Sequence, residues 1–296
     1  MDPGQALAQL GGVATSRELL RLTTRRRLRT ALDRGEVVRL TRDAYALPTA
    51  DEGLRAAARV SGVASHLSAA AHHGWKVLQQ PGLPHVVVPR DRKVRSSRGM
   101  HLRYRDLAPE EVRRPGVTEP LRTVLDCARD LSWDDALAVA DSALRSGEVD
   151  PQRLVEAAAG LRGPGSVQAR RVARCADGRA HNPFESALRA ICLDVDGLEV
   201  EPQREVQLLG LTIHPDLVCV EHRLIIEADS FAWHSSSSAL LSDCERYTLA
   251  AVGDWRVARF GYTHVRTQRD WTQDLLTRLV RPSGPARRPG PTDAAA

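Results

Sequence analysis

Three carboxylates, Asp216, Glu227 and Asp229, lie near the edges of one short stretch of the sequence, HPDLVCVEHRLIIEADS, which covers residues 214–230. The stretch reads as two apolar strands joined by a polar turn at 221–222. With a two-residue turn, Asp216 faces Glu227 across the hairpin, and their Cβ atoms lie about 5 Å apart. Asp229 projects from the same face, because side chains alternate along a strand. A three-residue turn would instead shift the register and separate Asp216 from Glu227.

Carboxylates held this close together have a specific chemical use. They repel one another and raise each other's pKa unless a cation neutralises them. Mg²⁺ prefers oxygen ligands and binds through one or two protein carboxylates, with water and substrate phosphate completing its shell. Such an ion lowers the pKa of a bound water and stabilises charge on a phosphodiester. The hairpin therefore predicts metal-assisted phosphodiester hydrolysis.

Residues outside the hairpin are candidates for the same site. Glu185 stands at the third position of a helix that begins NPFE. There a glutamate either caps the helix or reaches a metal, and both interpretations stay open. His234 follows Asp229 by five residues and can act as a general acid or base, or bind phosphate. Asp243 and Arg246 are three residues apart on a predicted helix and can pair with each other.

Residues 1–50 predict a winged helix-turn-helix. GGVATSREL contains a capping box at Thr15 and Glu18, TTRRRLRTALDRG reads as a basic helix, and EVVRLTRDAYALP reads as a hairpin. In this fold the second helix lies in the major groove. The alternative is a solvated arginine face on a small helical domain. The candidate DNA-binding arginines of this segment are Arg25, Arg26, Arg27, Arg29 and Arg42.

The rest of the chain divides into four segments. Residues 55–150 mix helical patterns with the strand-like HVVVP and HLRYRDL, which predicts a central α/β domain. We interpret His66, His72 and His73 as core or surface residues, because they lack the spacing of metal ligands. Residues 151–180 read as a linker with one helix, 181–280 as a C-terminal α/β domain, and 281–296 as a disordered Pro/Gly/Ala-rich tail.

The composition sets the broad class. Of 296 residues, 42% are apolar and 27% charged, as in soluble globular proteins. The sequence has neither a signal peptide nor a long apolar run, so we expect a cytoplasmic protein without membrane contact. Its five cysteines are scattered, which indicates neither a zinc site nor a disulfide framework. Arginine far exceeds lysine, and a GC-rich genome explains this excess better than DNA binding does.

The first two segments resemble the AbiEi family of antitoxin-type transcriptional regulators. The residues that carry the resemblance are the winged-helix pattern, YALP, SHLSAAAHHGW and TEPLRTVLDCARDL. The resemblance covers about half of the chain. It implies an N-terminal winged helix that binds double-stranded DNA, and a toxin or a second copy of the chain as a further partner.

Residues 182–280 resemble the small endonuclease-like domains related to very-short-patch repair enzymes, within the PD-(D/E)xK superfamily. The carrying motifs are NPFE, HPDLV, IIEADSFAWH, DCERYTLAAVGDWRVARF and HV. Asp229 stands where much of the superfamily has lysine, although Glu-x-Asp is common in this branch. The resemblance implies Mg²⁺ or Mn²⁺ as cofactor and the following roles: metal ligands Asp216, Glu227, Asp229 and Glu185, an assisting His234, and DNA contacts by Trp233 and Arg246.

Together these observations predict an α+β multi-domain protein with a winged helix-turn-helix, a central α/β domain and a restriction-endonuclease-like domain built on a mixed sheet. The predicted function is DNA binding combined with a Mg²⁺-dependent endonuclease, in a toxin–antitoxin or phage-defence setting. The alternative is a non-catalytic DNA-binding regulator or antitoxin that keeps the nuclease fold only for binding.

Overall fold

A computed structural model describes residues 1–229 and 237–281, with the backbone alone for 237–240. The described chain is mixed α+β, with thirteen α-helices and four β-sheets in these ranges. It forms two compact units, the first comprising Met1–Ala187 and the second beginning at Leu188. No helix within the described ranges is long and apolar enough to cross a membrane. The predicted tail at 281–296 falls almost entirely outside the described residues.

The first unit begins with three helices and a small antiparallel sheet. Its elements are α1 (Pro3–Gln9), β1 (Val13–Thr15), α2 (Ser16–Leu22), α3 (Arg25–Asp33), β2 (Val38–Arg39) and β3 (Ala44–Ala46). The predicted capping box begins α2: the Thr15 hydroxyl accepts from the Glu18 backbone N–H, and the Glu18 carboxylate accepts from Thr15. Strand β3 lies between β1 and β2. A core that includes Leu7, Leu19 and Leu28 fixes the helices against this sheet.

The remainder of this unit is a five-stranded mixed sheet with helices. The elements are α4 (Glu52–Val60), β4 (Val63–Ala64), α5 (His66–His72), β5 (His85–Val88), β6 (His101–Tyr104), a 3-10 turn (Pro109–Glu111), β7 (Val112–Arg113), β8 (Val117–Thr118), α6 (Pro120–Asp130), α7 (Trp133–Ser146), α8 (Pro151–Gly160) and α9 (Ser166–Cys175). The strand order is β6-β5-β4-β8-β7. The predicted strands HVVVP and HLRYRDL are confirmed as β5 and β6.

Residues 151–180 differ from the predicted linker with one helix. They contain two helices, α8 and α9, whose apolar residues belong to the same core as α6 and α7. Leu154 and Val172 are fully buried there. Gly160 is the last residue of α8, and Gly165 is the N-cap of α9. The division of the chain into five segments otherwise stays a prediction.

The second unit is organised around a four-stranded sheet of order β14-β13-β12-β9. Its elements are β9 (Glu201–Pro202), β10 (Val206–Leu208), β11 (Leu211–Ile213), β12 (Leu217–Cys219), β13 (Leu224–Asp229), α11 (Ser237–Val252), β14 (Arg256–Gly261), α12 (Tyr262–Thr267) and α13 (Arg269–Val280). Helix α10 (Pro183–Cys192) precedes them and crosses the boundary between the units. The sheet is mixed, as predicted, because β13 pairs parallel with β14 and antiparallel with β12.

Candidate carboxylate site and basic helix

The hairpin of β12 and β13 has the register predicted from the sequence. Leu217 lies opposite Ile226 and Cys219 opposite Leu224, so the next pair outward is Asp216 and Glu227. The turn closes with a hydrogen bond from the Arg223 N–H to the Val220 carbonyl, 3.0 Å long. Since the turn has Glu221 and His222 at its centre, this described hairpin has the two-residue turn that keeps the two acids opposite each other, and not the three-residue turn that would have separated them.

Asp216 and Glu227 form an acidic pair at the end of this hairpin. The Ala228 N–H donates to Asp216 Oδ2 over 2.8 Å, and the Gln203 side-chain amide donates to Asp216 Oδ1 over 3.4 Å. Glu227 is only 8% exposed. Burial raises the pKa of Glu227 to about 7, and the negative charge of Asp216 contributes to the rise. A buried acid beside a second acid is the situation that a bound cation would relieve.

One oxygen of Glu227 receives no hydrogen bond from the residues that the structure describes. Its Oε1 is buried without a donor among the described residues. Arg246 is a neighbouring cation, and its Nη2 lies 3.8 Å from this oxygen. This distance gives electrostatic attraction but exceeds that of a hydrogen bond. An unsatisfied buried oxygen is costly, and a metal ion or its bound water could satisfy it.

Asp229 lies on the same strand face, where a guanidinium neutralises it. Arg259 Nη2 is 2.6 Å from Asp229 Oδ2 and 3.6 Å from Asp243 Oδ2. Asp243 also pairs with Arg246 at 3.2 Å, as the spacing of these two residues along the helix predicted. Three acids and two arginines on β13, β14 and α11 thus form one charged cluster.

Tyr247 lies between the two arginines. The Cζ atoms of Arg246 and Arg259 are 4.9 and 4.6 Å from the centre of its ring. Arg246 also donates to the Tyr247 hydroxyl over 2.8 Å. Cation–π contacts and hydrogen bonds of this kind fix the guanidinium groups next to the acids. The sequence analysis assigned neither Tyr247 nor Arg259 to the site.

Glu185 caps its own helix. Its carboxylate accepts hydrogen bonds from the His181 backbone N–H, at 2.7 Å, and from the Asn182 side chain. The Asn182 side chain in turn accepts from the Phe184 and Glu185 backbone N–H groups. These bonds match the capping interpretation, one of the two that the sequence left open. Glu185 is buried, and its role toward a metal stays a prediction.

The remaining members of the predicted site are less defined. His234 and Trp233 lie outside the described residues. No group of three or more His, Cys, Asp or Glu side chains is arranged to hold a metal ion in the part of the chain that the structure describes. The pair Asp216 and Glu227 nevertheless fits Mg²⁺, which needs only one or two protein carboxylates. The orphan Oε1 of Glu227 is the structural observation behind this fit.

Helix α3 presents the predicted basic residues to solvent. Thr24 caps the helix by accepting from the Arg27 N–H. The apolar side of the helix, including Leu28 and Ala31, is buried. A groove with a volume of about 560 Å³ lies along the start of the helix and is lined by Arg26 and Arg27. All five predicted DNA-binding arginines of the first segment are exposed, namely Arg25, Arg26, Arg27, Arg29 and Arg42.

The first unit also contains a buried ionic network that the sequence did not predict. Asp126, only 1% exposed, receives hydrogen bonds from Arg105 at 2.7 Å and from Arg122 at 2.9 Å. Arg105 also binds Asp130 at 2.7 Å, and Asp130 contacts His66 Nε2 at 2.9 Å. The network joins β6, α5 and α6. The buried ring of His66 is thus part of this ionic network, whereas His73, at the end of the helix region, contacts the Thr118 carbonyl.

Comparison with known proteins identifies the central part of the chain. Residues 63–173 match the family model of the AbiEi antitoxin C-terminal domain. This match confirms the predicted resemblance for the central segment. It covers neither the first 50 residues nor the C-terminal segment, whose predicted resemblances remain proposals.

The chain spans about half the length of the curated relatives that it matches, which are named only as uncharacterised proteins. Two proteins of Mycobacterium tuberculosis, MT2308 of strain CDC 1551 and Rv2248 of strain H37Rv, are each 31% identical to this chain over 156 residues. The alignment covers 51% of this chain and 57% of each relative. A structural alignment with the crystal structure of the RV2827C protein from Mycobacterium tuberculosis covers 69% of this chain and 87% of the RV2827C chain. The sequence identity is 14% and the TM-score is 0.35.

Proposed function

We propose that this chain is a DNA-binding regulator of the antitoxin type that contacts duplex DNA through helix α3. The observation that carries the proposal is the run of exposed arginines in the first turn of this helix: Arg25, Arg26 and Arg27. Positive side chains at a helix N-terminus oppose the helix dipole, at a cost of about 0.3–1 kcal/mol each. They do not help the helix to fold, whereas DNA phosphates would neutralise all three.

The surroundings of α3 support the same proposal. The order helix, strand, helix, helix, strand, strand in residues 3–46 supports the proposed winged helix. In a helix-turn-helix the N-terminal residues of the second helix reach base edges and phosphates. The antitoxin domain match at 63–173 suggests a toxin–antitoxin setting in the cytoplasm. The further partner in that setting is a toxin or a second copy of the chain.

Replacing Arg25, Arg26 and Arg27 together by Ala tests this proposal. Each phosphate contact contributes about 0.9 to the slope of log K against log salt. We expect weaker duplex binding and a slope shallower by about 2–3. A control with Arg59, Arg153 and Arg174 replaced by Ala removes the same charge from exposed positions elsewhere in the first unit. Equal binding by the two variants would show that the basic helix is only a solvated face.

A second candidate function is a Mg²⁺-dependent phosphodiesterase in the C-terminal segment. The observation that favours it is the buried, unsatisfied Oε1 of Glu227 beside Asp216. These two residues would hold the ion, and Asp229 and Glu185 stay proposed neighbours. A bound Mg²⁺ supplies a more acidic water and charge stabilisation at a phosphodiester. The chain's own contribution is a rigid strand end that orients the two carboxylates.

Cleavage and cation binding test this second function separately. Supercoiled, linear and mismatched DNA are incubated with the protein in Mg²⁺ or Mn²⁺, alongside Asp216→Ala. Mn²⁺ binding is measured by calorimetry on the same two proteins. We expect the variant to lose both cleavage and most Mn²⁺ affinity. If the wild type binds Mn²⁺ but does not cut, the segment is a cation-binding module of a non-catalytic regulator. If it does neither, the phosphodiesterase proposal is wrong and the regulator proposal stands.

A further inference from the structure

In the Glu-x-Lys pattern, a lysine follows the glutamate by two residues. In this chain the glutamate is Glu227, and the lysine's position is occupied by Asp229. A lysine there would add a positive charge on the same strand face as Glu227, two residues away. Asp229 adds a negative charge instead. A site that lacked any positive group at this point could not offer the same stabilisation to a phosphate.

The parallel partner strand brings a replacement. Glu227 pairs with Arg259 and Asp229 pairs with Gly261 in the register of β13 and β14. Neighbours in register share a sheet face, so the Arg259 side chain lies beside both acids. Gly261 has no side chain to fill the space opposite Asp229. The Arg259 guanidinium occupies the region in front of Asp229, with its Nη2 2.6 Å from Asp229 Oδ2.

This guanidinium is oriented and still accessible. Asp229, Asp243 and the ring of Tyr247 contact it from three sides. Its side chain is nevertheless 34% exposed, and that of Asp229 is 29% exposed, whereas Glu227 is buried. Arg246 is already engaged with the Tyr247 hydroxyl and Asp243 and lies nearest to Glu227. The two arginines are similarly exposed, at 30% for Arg246 and 34% for Arg259, and Arg259 is the one that is paired with Asp229.

The charges in the cluster fit a cation together with a phosphate. When all groups are ionised, four carboxylates and two guanidiniums have a net charge of −2. One Mg²⁺ would balance this charge. The groups counted are Asp216, Glu227, Asp229, Asp243, Arg246 and Arg259. Without Arg259 the excess would be three, and an approaching phosphodiester would be repelled.

We propose that Arg259, held by Asp229, supplies the positive charge that a lysine at position 229 would supply, and that it binds the phosphodiester of a nucleic acid at this site. The inference rests on the proposed phosphodiesterase function. In hydrolysis, a water oxygen bonds to phosphorus while the bond from phosphorus to one sugar oxygen breaks. The water's proton passes to solvent and the sugar oxygen takes one from solvent. Arg259 donates hydrogen bonds to the non-bridging oxygens and transfers no proton.

A charge swap tests the assignment. Arg259→Met should lower the cleavage rate by about 10²–10³, as loss of one electrostatic stabiliser does. The fall should appear in kcat more than in KM, because the charge it stabilises develops in the transition state. The double variant Asp229→Lys with Arg259→Met returns a cation to the motif position and should regain at least about tenfold over Arg259→Met. Arg278→Met, which removes a 69% exposed arginine of the same unit, should change neither parameter.

Several results would overturn the assignment. Wild-type rates in Arg259→Met would mean that the Asp229–Arg259 pair is only a surface ion pair, with the phosphodiesterase function intact. A double variant that is folded but no faster than Arg259→Met would exclude replacement of the lysine. If Arg259→Met alone does not fold, the comparison is made between the double variant and Asp229→Lys. A wild type that cuts no DNA in Mg²⁺ or Mn²⁺ would refute the phosphodiesterase function and this inference with it.

Discussion

The buried carboxylate of Glu227 should make the C-terminal unit less stable as the pH rises, and Glu227→Gln should remove this loss. Burial and the adjacent Asp216 raise the pKa of Glu227 from an ordinary 4.5 to about 7. Between these values the folded protein binds the proton more tightly than the unfolded chain does. The free energy of unfolding therefore falls as the pH rises through this window. At about 1.36 kcal/mol for each pH unit, the loss is at most about 3 kcal/mol at pH 8.

Amide hydrogen exchange in β12 and β13 measures this effect in the full chain. Protein is compared at pH 5 and pH 8 in EDTA, which removes adventitious metal, and exchange rates are corrected for the intrinsic effect of pH. We expect Glu227→Gln to raise the local free energy of opening by about 1–3 kcal/mol at pH 8 and to change it little at pH 5. Glu221→Gln, an exposed carboxylate in the turn of the same hairpin, is the control. A gain below about 0.5 kcal/mol at pH 8 would refute the reasoning.

Two further predictions concern the first unit. Asp126→Ala leaves Arg105 and Arg122 without their shared buried partner and should lower the free energy of unfolding by about 3–5 kcal/mol in urea titrations. As a control, Asp106→Ala breaks an exposed 3.6 Å ion pair with Arg90 and should lower the free energy of unfolding by less than about 1 kcal/mol. Equal losses of stability in the two variants would contradict the argument for a buried network. Burial lowers the pKa of His85 from 6.5 to about 3. Below pH 6.5 the unfolded chain binds a proton at His85 more tightly than the folded protein does. The free energy of unfolding should therefore fall as the pH drops below 6.5, by up to about 1.4 kcal/mol per pH unit. His85→Gln should reduce that slope, and an unchanged slope would exclude His85 as its source.

Much of the carboxylate hairpin was predictable because its determinants are local. A two-residue polar turn between apolar runs fixes the register, and the register fixes which side chains face each other. Asp216 and Glu227 are paired for this reason. The capping role of Glu185 was one of two predicted interpretations, since the motif NPFE contains its own hydrogen-bond partners.

The charged surroundings of the hairpin were not predictable in the same way. Arg259 lies on a strand that joins β13 in parallel after an intervening helix, so its register depends on how that helix packs. Asp126 and Asp130 lie on helix α6, and their ion pairs depend on Arg105, which directly follows strand β6. No local pattern specifies which buried acid meets which arginine.

The sequence by itself determined the basic start of α3, the capping boxes, the β12–β13 register and the central segment's likeness to an antitoxin domain. The capping and the register depend on hydrogen bonds and on side-chain alternation among residues close together in the chain, and the other two features are read from residue types alone. Only the tertiary structure decided that Glu227 is buried, that one of its oxygens meets no donor from the described part of the chain, and that Asp229 binds Arg259. Burial and ion pairing between distant residues arise when whole elements pack together. The electrostatics of the candidate site are therefore a property of the fold, whereas its carboxylates are a property of the sequence.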